Sequence, residues 1–153
     1  MPNGPLIRQR EVTDLLGINE RFLDSFSQHL LYVITPAGSW MYSRGYILAL
    51  NHFLNATGQE LSLETAKSFA TTQEAQNLIQ AIKDSFKRAW QAMKRGSRIR
   101  GVDASVLLGL NQGASSRWNG TKLGYEAGKG FDAEKFFNAC VWQSPGKPSG
   151  RSN

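Results

Sequence analysis

Five residues, Leu15-Leu16-Gly17-Ile18-Asn19, constrain the fold more than any other stretch, because they close one helix and open the next. Val12, Leu15 and Leu16 share one face of a helix over residues 10–16. Gly17 suits the left-handed conformation that ends a helix, since it has no Cβ to clash. Asn19 is a good N-cap for a second helix over residues 20–28, with Phe22, Leu23 and Phe26 facing inward. Residues 30–34 are β-rich, Thr35-Pro36-Ala37-Gly38-Ser39 is a turn, and Trp40-Met41-Tyr42 is β-rich again, so a hairpin follows. A third helix over residues 45–54 carries Ile47, Leu50, Phe53 and Leu54 as its apolar stripe.

Helix, glycine turn, helix, hairpin, helix is the order of a winged helix-turn-helix. The stretch Arg10-Glu11-Val12-Thr13-Asp14-Leu15-Leu16-Gly17-Ile18-Asn19 is similar to the opening of MerR-type and excisionase-type DNA-binding domains, which carry a Glu-Val-x-x-Leu-Leu-Gly-Val-Ser-like sequence. Trp40-Met41-Tyr42-Ser43-Arg44-Gly45-Tyr46-Ile47-Leu48 resembles the strand that leaves their wing and enters the next helix. The resemblance covers residues 6–54 and implies a double-stranded DNA partner, with Arg8, Arg10, Arg21 and Arg44 as the basic residues available to it. Two departures stand against direct contact by this segment. The second helix places Arg21 between Glu20 and Asp24, and residues 30–42 carry no charge.

The middle of the chain reads as helix. Residues 62–69 suit a short one, and Thr71 with Glu74 has capping-box spacing ahead of a long helix to Arg95. Ala75, Ile79, Ile82, Phe86, Ala89 and Met93 are spaced 4, 3, 4, 3 and 4 residues apart. That is a seam with a period of about 3.5 residues, as in a coiled coil. It predicts a homodimer on a palindromic site, the arrangement MerR-type regulators use. Leu78 and Trp90 widen the stripe, so burial against the chain's own core is the alternative.

The opening motif recurs. Val106-Leu107-Leu108-Gly109-Leu110-Asn111-Gln112 repeats the pattern of Asp14-Leu15-Leu16-Gly17-Ile18-Asn19-Glu20 at an offset of 92, which predicts a second helix-turn-helix. Its second helix, over residues 112–118, offers Gln112, Ser115, Ser116 and Arg117, with Asn119, Thr121 and Lys122 just beyond. Gln suits adenine edges, Arg suits guanine edges, and the remainder suit phosphates. Residues 111–120 also resemble the recognition helix of phage-repressor-type domains. The alternative is a basic, Gly-rich surface loop holding Trp118 in a small core.

Charge favours this end of the chain. The net charge is +6, and the sequence pI is near 9.7. Residues 1–58 hold four bases and four acids, as do residues 59–93, whereas residues 94–153 hold ten bases and four acids. Lys94, Arg95, Arg98 and Arg100 crowd the junction, suited to a phosphate backbone or a minor groove.

No catalytic or metal set emerges. His29, His52 and the single cysteine, Cys140, stand apart from one another in the sequence. Gly124-Tyr125-Glu126-Ala127-Gly128-Lys129-Gly130 is one residue short of a phosphate-loop spacing and lacks its Ser or Thr. No apolar run reaches the roughly 18 residues of a membrane span, and one cysteine suits a reducing compartment. The expected fold is α+β, mainly helical with a small β wing. Its divisions are a winged helix-turn-helix over residues 1–58, a dimerisation helix within 59–96, a basic second helix-turn-helix-like module over 97–143 and a disordered tail over 144–153. The expected protein is a cytoplasmic, nucleoid-associated transcription regulator, a dimeric repressor without effector domain, cofactor, metal or enzymatic activity. An excisionase or terminase-small-subunit-like architectural factor of a phage or mobile element, and a protein-binding adaptor, are the alternatives.

Overall fold

A computed structural model describes residues 6–35, 38–93, 98–99, 131–132, 135 and 138–145. Its elements run β1 (Leu6–Ile7), α1 (Gln9–Leu16), α2 (Glu20–Asp24), a 3-10 turn (Ser27–His29), β2 (Tyr32–Ile34), β3 (Trp40–Ser43), α3 (Arg44–Thr57), α4 (Leu63–Ala70), α5 (Gln73–Met93), β4 (Arg98–Ile99), β5 (Phe131–Asp132) and β6 (Val141–Gln143). The architecture is α+β, mainly helical, with a four-stranded antiparallel sheet in the order β1-β3-β2-β6.

Local chemistry accounts for the first half. Glu11 Oε1 accepts from the Arg8 N–H at 3.0 Å and starts α1. Gly17 ends it at φ 68° and ψ 35°, with nothing within 4 Å of where a Cβ would stand, so a left-handed backbone selects glycine here. Asn19 Oδ1 accepts from the Phe22 N–H at 2.7 Å and starts α2. That helix spans five residues, shorter than its apolar pattern suggests, because Leu23 and Phe26 are fully buried while Ser27–His29 tighten into the 3-10 turn. Ser43 Oγ accepts from Tyr46 N–H and caps α3, which ends at left-handed Gly58. Thr72, not Thr71, caps α5: its Oγ1 accepts from the Ala75 N–H at 3.0 Å, while Thr71 closes α4.

One core joins the parts that the sequence divides. Ile7, Val12, Leu23, Phe26, Leu30, Tyr42, Tyr46, Ile47 and Leu50 pack in the same cluster as Ala66, Phe69, Ala75 and Ile79. The boundary expected at residue 58 is therefore no break in packing. Each fully buried Leu, Ile or Phe side chain contributes about 1.5–3 kcal/mol of transfer free energy.

The sheet is covered on both faces. Tyr32 opposes Tyr42 and Gln143, and Val33 opposes Met41 and Trp142. Side chains alternate along a strand, so the tyrosines and the Val33 row point opposite ways, yet Tyr42, Val33 and Met41 are all buried. Trp142 meets Phe86 of α5 edge-on, with ring centroids 5.2 Å apart, which puts α5 on the Val33 side.

The C-terminal segment thus belongs to the same sheet. β6 pairs with β2, and Lys83 Nζ of α5 donates to Ser144 Oγ at 3.3 Å, so the tail expected from residue 144 begins with a placed residue. β4 and β5 pair with Arg98 opposite Asp132 and Ile99 opposite Phe131, bracketing residues 100–130.

Candidate nucleic-acid interface

The turn between α1 and α2 presents α2 to solvent along one side. Leu23 is buried, whereas Glu20, Arg21, Phe22 and Asp24 are exposed. The Phe22 ring leans edge-on against buried Phe26, with centroids 5.4 Å apart. Gln9 Nε2 donates to Asp24 Oδ1 at 2.9 Å, tying the start of α1 to the end of α2. Two carboxylates and one guanidinium on so short a helix give it no attraction for phosphate.

The hairpin between β2 and β3 is tightly closed and uncharged. Thr35 N–H donates to the Ser39 carbonyl and Gly38 N–H to the Thr35 carbonyl, both at 2.8 Å. Thr35 Oγ1 accepts from the Ser39 N–H at 3.2 Å. Trp40 is 41% exposed and lies flat on Tyr32, with centroids 4.0 Å apart and planes 7° from parallel. Its exposure escapes sequence reasoning, because Trp40 shares a face with buried Tyr42 but sits beyond the edge of the core.

Arg8, Arg10 and Arg21 are exposed and Arg44 is half-buried at the start of α3. Arg10 and Asp14 stand one helical turn apart on α1. Arg98 falls in β4. Lys94, Arg95, Arg100, Gln112, Ser115, Ser116, Arg117, Asn119, Thr121 and Lys122 lie outside the described residues, as does the second helix-turn-helix expected around them. The described residues hold ten bases and nine acids, so the net charge of +6 resides almost wholly elsewhere in the chain.

Part of the seam expected on α5 packs inside the chain. Ala75, Ile79 and Phe86 are buried within the same chain, and Ile82 Cδ1 stands 3.5 Å from where a Cβ on Gly45 would lie. Ala89 is half-buried, and the Met93 side chain lies outside the described residues. From Ala75 to Phe86 the stripe faces α3 and β6 of its own chain. A 3.5-residue stripe looks the same in sequence whether it meets its own core or a second copy.

Among the described residues, no group of three or more His, Cys, Asp or Glu is arranged to hold a metal. Burial pushes the Cys140 thiol up to about 12, so it is protonated at neutral pH. Burial, and then the Lys67 ammonium, lower the His29 pKa from its ordinary 6.5. No described helix is long and apolar enough to cross a membrane. No protein-family model, curated protein or solved structure matches the chain.

Proposed function

We propose that the chain is a double-stranded DNA-binding regulator whose residues 6–57 form a winged helix-turn-helix. The observation that carries this reading is the sequence of α1, left-handed Gly17, Asn19-capped α2, a closed hairpin and α3, with α2 exposed along one side. That is the order of a module that lays its second helix against a duplex. The basic residues from Lys94 to Lys129 supply most of the phosphate attraction, because the scaffold itself is close to neutral. Gln112, Ser115, Ser116 and Arg117 are the base-reading residues in this account, and Asn119, Thr121 and Lys122 the phosphate contacts.

Selection of bound fragments from a random duplex library, at low and near-physiological salt, tests the reading. Recovery of a common motif at both salts supports a sequence-specific regulator. Binding that fades with salt and leaves no motif identifies an architectural factor, of the kind that assists excision or packaging. No binding at either salt overturns the DNA reading.

One observation favours a second reading. An α2 surface of Glu20, Asp24 and exposed Phe22, beside an uncharged hairpin, suits a protein partner better than a phosphate backbone. In that account the winged helix serves as an adaptor, and retention of a protein partner by a chain inert toward duplex DNA distinguishes it.

A further inference from the structure

We propose that the open face of the Trp40 indole stacks on a nucleobase of the bound duplex, at a base step that the hairpin holds open. The proposal rests on the DNA-binding reading above. It adds the residue and the kind of contact by which an uncharged hairpin meets DNA.

The ring is held in place before anything binds. Trp40 is parallel to Tyr32 within 7°, with centroids 4.0 Å apart, and Tyr32 is itself buried. The two rings form a pile that starts in the core and ends at solvent. Tyr32 covers one face of the indole, and 41% of Trp40 remains exposed, so a further ring has a face to meet. Backbone bonds fix the position from both sides. The turn between Thr35 and Ser39 is closed by bonds of 2.8, 2.8 and 3.2 Å, and Trp40 opposes Ile34 across β2 and β3. An ordered side chain gives up little freedom on binding, so most of what stacking contributes appears as affinity.

The surroundings of the ring select a base over a phosphate. Residues 30–42 carry no charge, and Ile34 and Val141, which continue the Trp40 row across β2 and β6, are apolar. These residues offer a phosphate no attraction. Every base has a π-face, and stacking on an aromatic side chain needs no charge. The net charge of +6 makes a polyanion the natural partner of this chain, and the rings that such a partner carries are bases. Inside a duplex each base is already stacked on both sides. A base that meets Trp40 must therefore leave one neighbour, as where apolar side chains enter a base step and bend the duplex. Pyrimidine–purine steps open most readily, so such a step is expected at the contact.

The test uses the full chain and mixed-sequence duplex DNA, titrated from low salt upward. Trp40→Ala is expected to bind about 5- to 150-fold more weakly, the loss of one stacked base. The slope of log K against log salt should stay as in the wild type, because no phosphate contact is lost. Trp40→Phe should recover most of the affinity. It should also lose part of the indole quenching that duplex DNA produces in the wild-type chain, a readout that holds even where Trp40→Ala fails to fold. Wild-type affinity in folded Trp40→Ala, or equal quenching of the wild type and Trp40→Phe, overturns the proposal and leaves DNA binding intact. Quenching by single-stranded DNA alone assigns the ring to unpaired strands and overturns the open duplex step. Failure of the wild-type chain to bind any duplex at low salt overturns the DNA-binding reading itself, and this proposal with it.

Discussion

The Trp142 indole meets the Phe86 ring edge-on, 5.2 Å between centroids and 75° between planes. Through this contact the last strand of the sheet is fastened to α5, across more than a third of the chain. Phe86 is 2% exposed, so Phe86→Ala is expected to cost about 3–5 kcal/mol of unfolding free energy. A double-mutant cycle with Trp142→Ala should return a coupling of about 0.5–1.5 kcal/mol. Additive losses in chemical denaturation would mean that β6 and α5 are held by other contacts.

Ile82 distinguishes a core position from a seam. Because it packs against Gly45 of α3, Ile82→Asp is expected to lower stability by about 2–3 kcal/mol while leaving the mass in solution unchanged. Light scattering and thermal unfolding on the same sample check both halves. Conversion of a wild-type dimer into folded monomers would restore the seam reading.

The hydroxyl of Tyr46 is buried and has no hydrogen-bond partner among the described residues, and burial raises its pKa well above the ordinary value of 10.0. An unsatisfied buried hydroxyl costs about 1–3 kcal/mol. Tyr46→Phe removes it and keeps the ring packed on Phe69, 5.2 Å away between centroids. The variant should unfold at higher denaturant by roughly 1 kcal/mol, and a loss of that size would show that the hydroxyl has a partner after all.

Acid should weaken the fold through His29. Its folded pKa lies below 6.5, by burial first and by the Lys67 charge second. The unfolded chain therefore binds the proton more readily, and the stability this residue contributes is complete above pH 6.5 and falls as pH drops below it. A nuclear magnetic resonance titration should place the His29 midpoint under 6.5 and move it upward in Lys67→Gln. A midpoint unmoved by that substitution would remove Lys67 as a cause.

The α1–α2 turn was legible because its signals are local. Gly17 needs a positive φ and Asn19 reaches an N–H three residues on, so each acts within one turn of chain. Both have a measurable cost: Gly17→Ala and Asn19→Ala should each lose about 1 kcal/mol, with Gly17→Asn losing less because Asn tolerates the left-handed region. The hairpin and α3 were legible for the same reason.

What the sequence concealed is non-local. β6 is three residues long and its partner, β2, lies more than a hundred residues earlier, so no window around Val141 contains the strand it completes. The same holds for the α5 stripe, whose period records an apolar partner without naming it. Of the candidate contacts, exposed Arg8, Arg10 and Arg21 were legible as surface bases. The stacked, exposed Trp40 depends on Tyr32 across the sheet and was not.

The proposed function requires that the chain distinguish one duplex from another. Equilibrium titration of the wild-type chain with the selected duplex and with a scrambled duplex of equal length, at near-physiological salt, tests it most directly. The expected affinity for the selected duplex is at least about 1,000-fold the tighter, with log K falling by about 0.9 for each phosphate contact as log salt rises. Equal affinity for the two duplexes, or none for either, contradicts it.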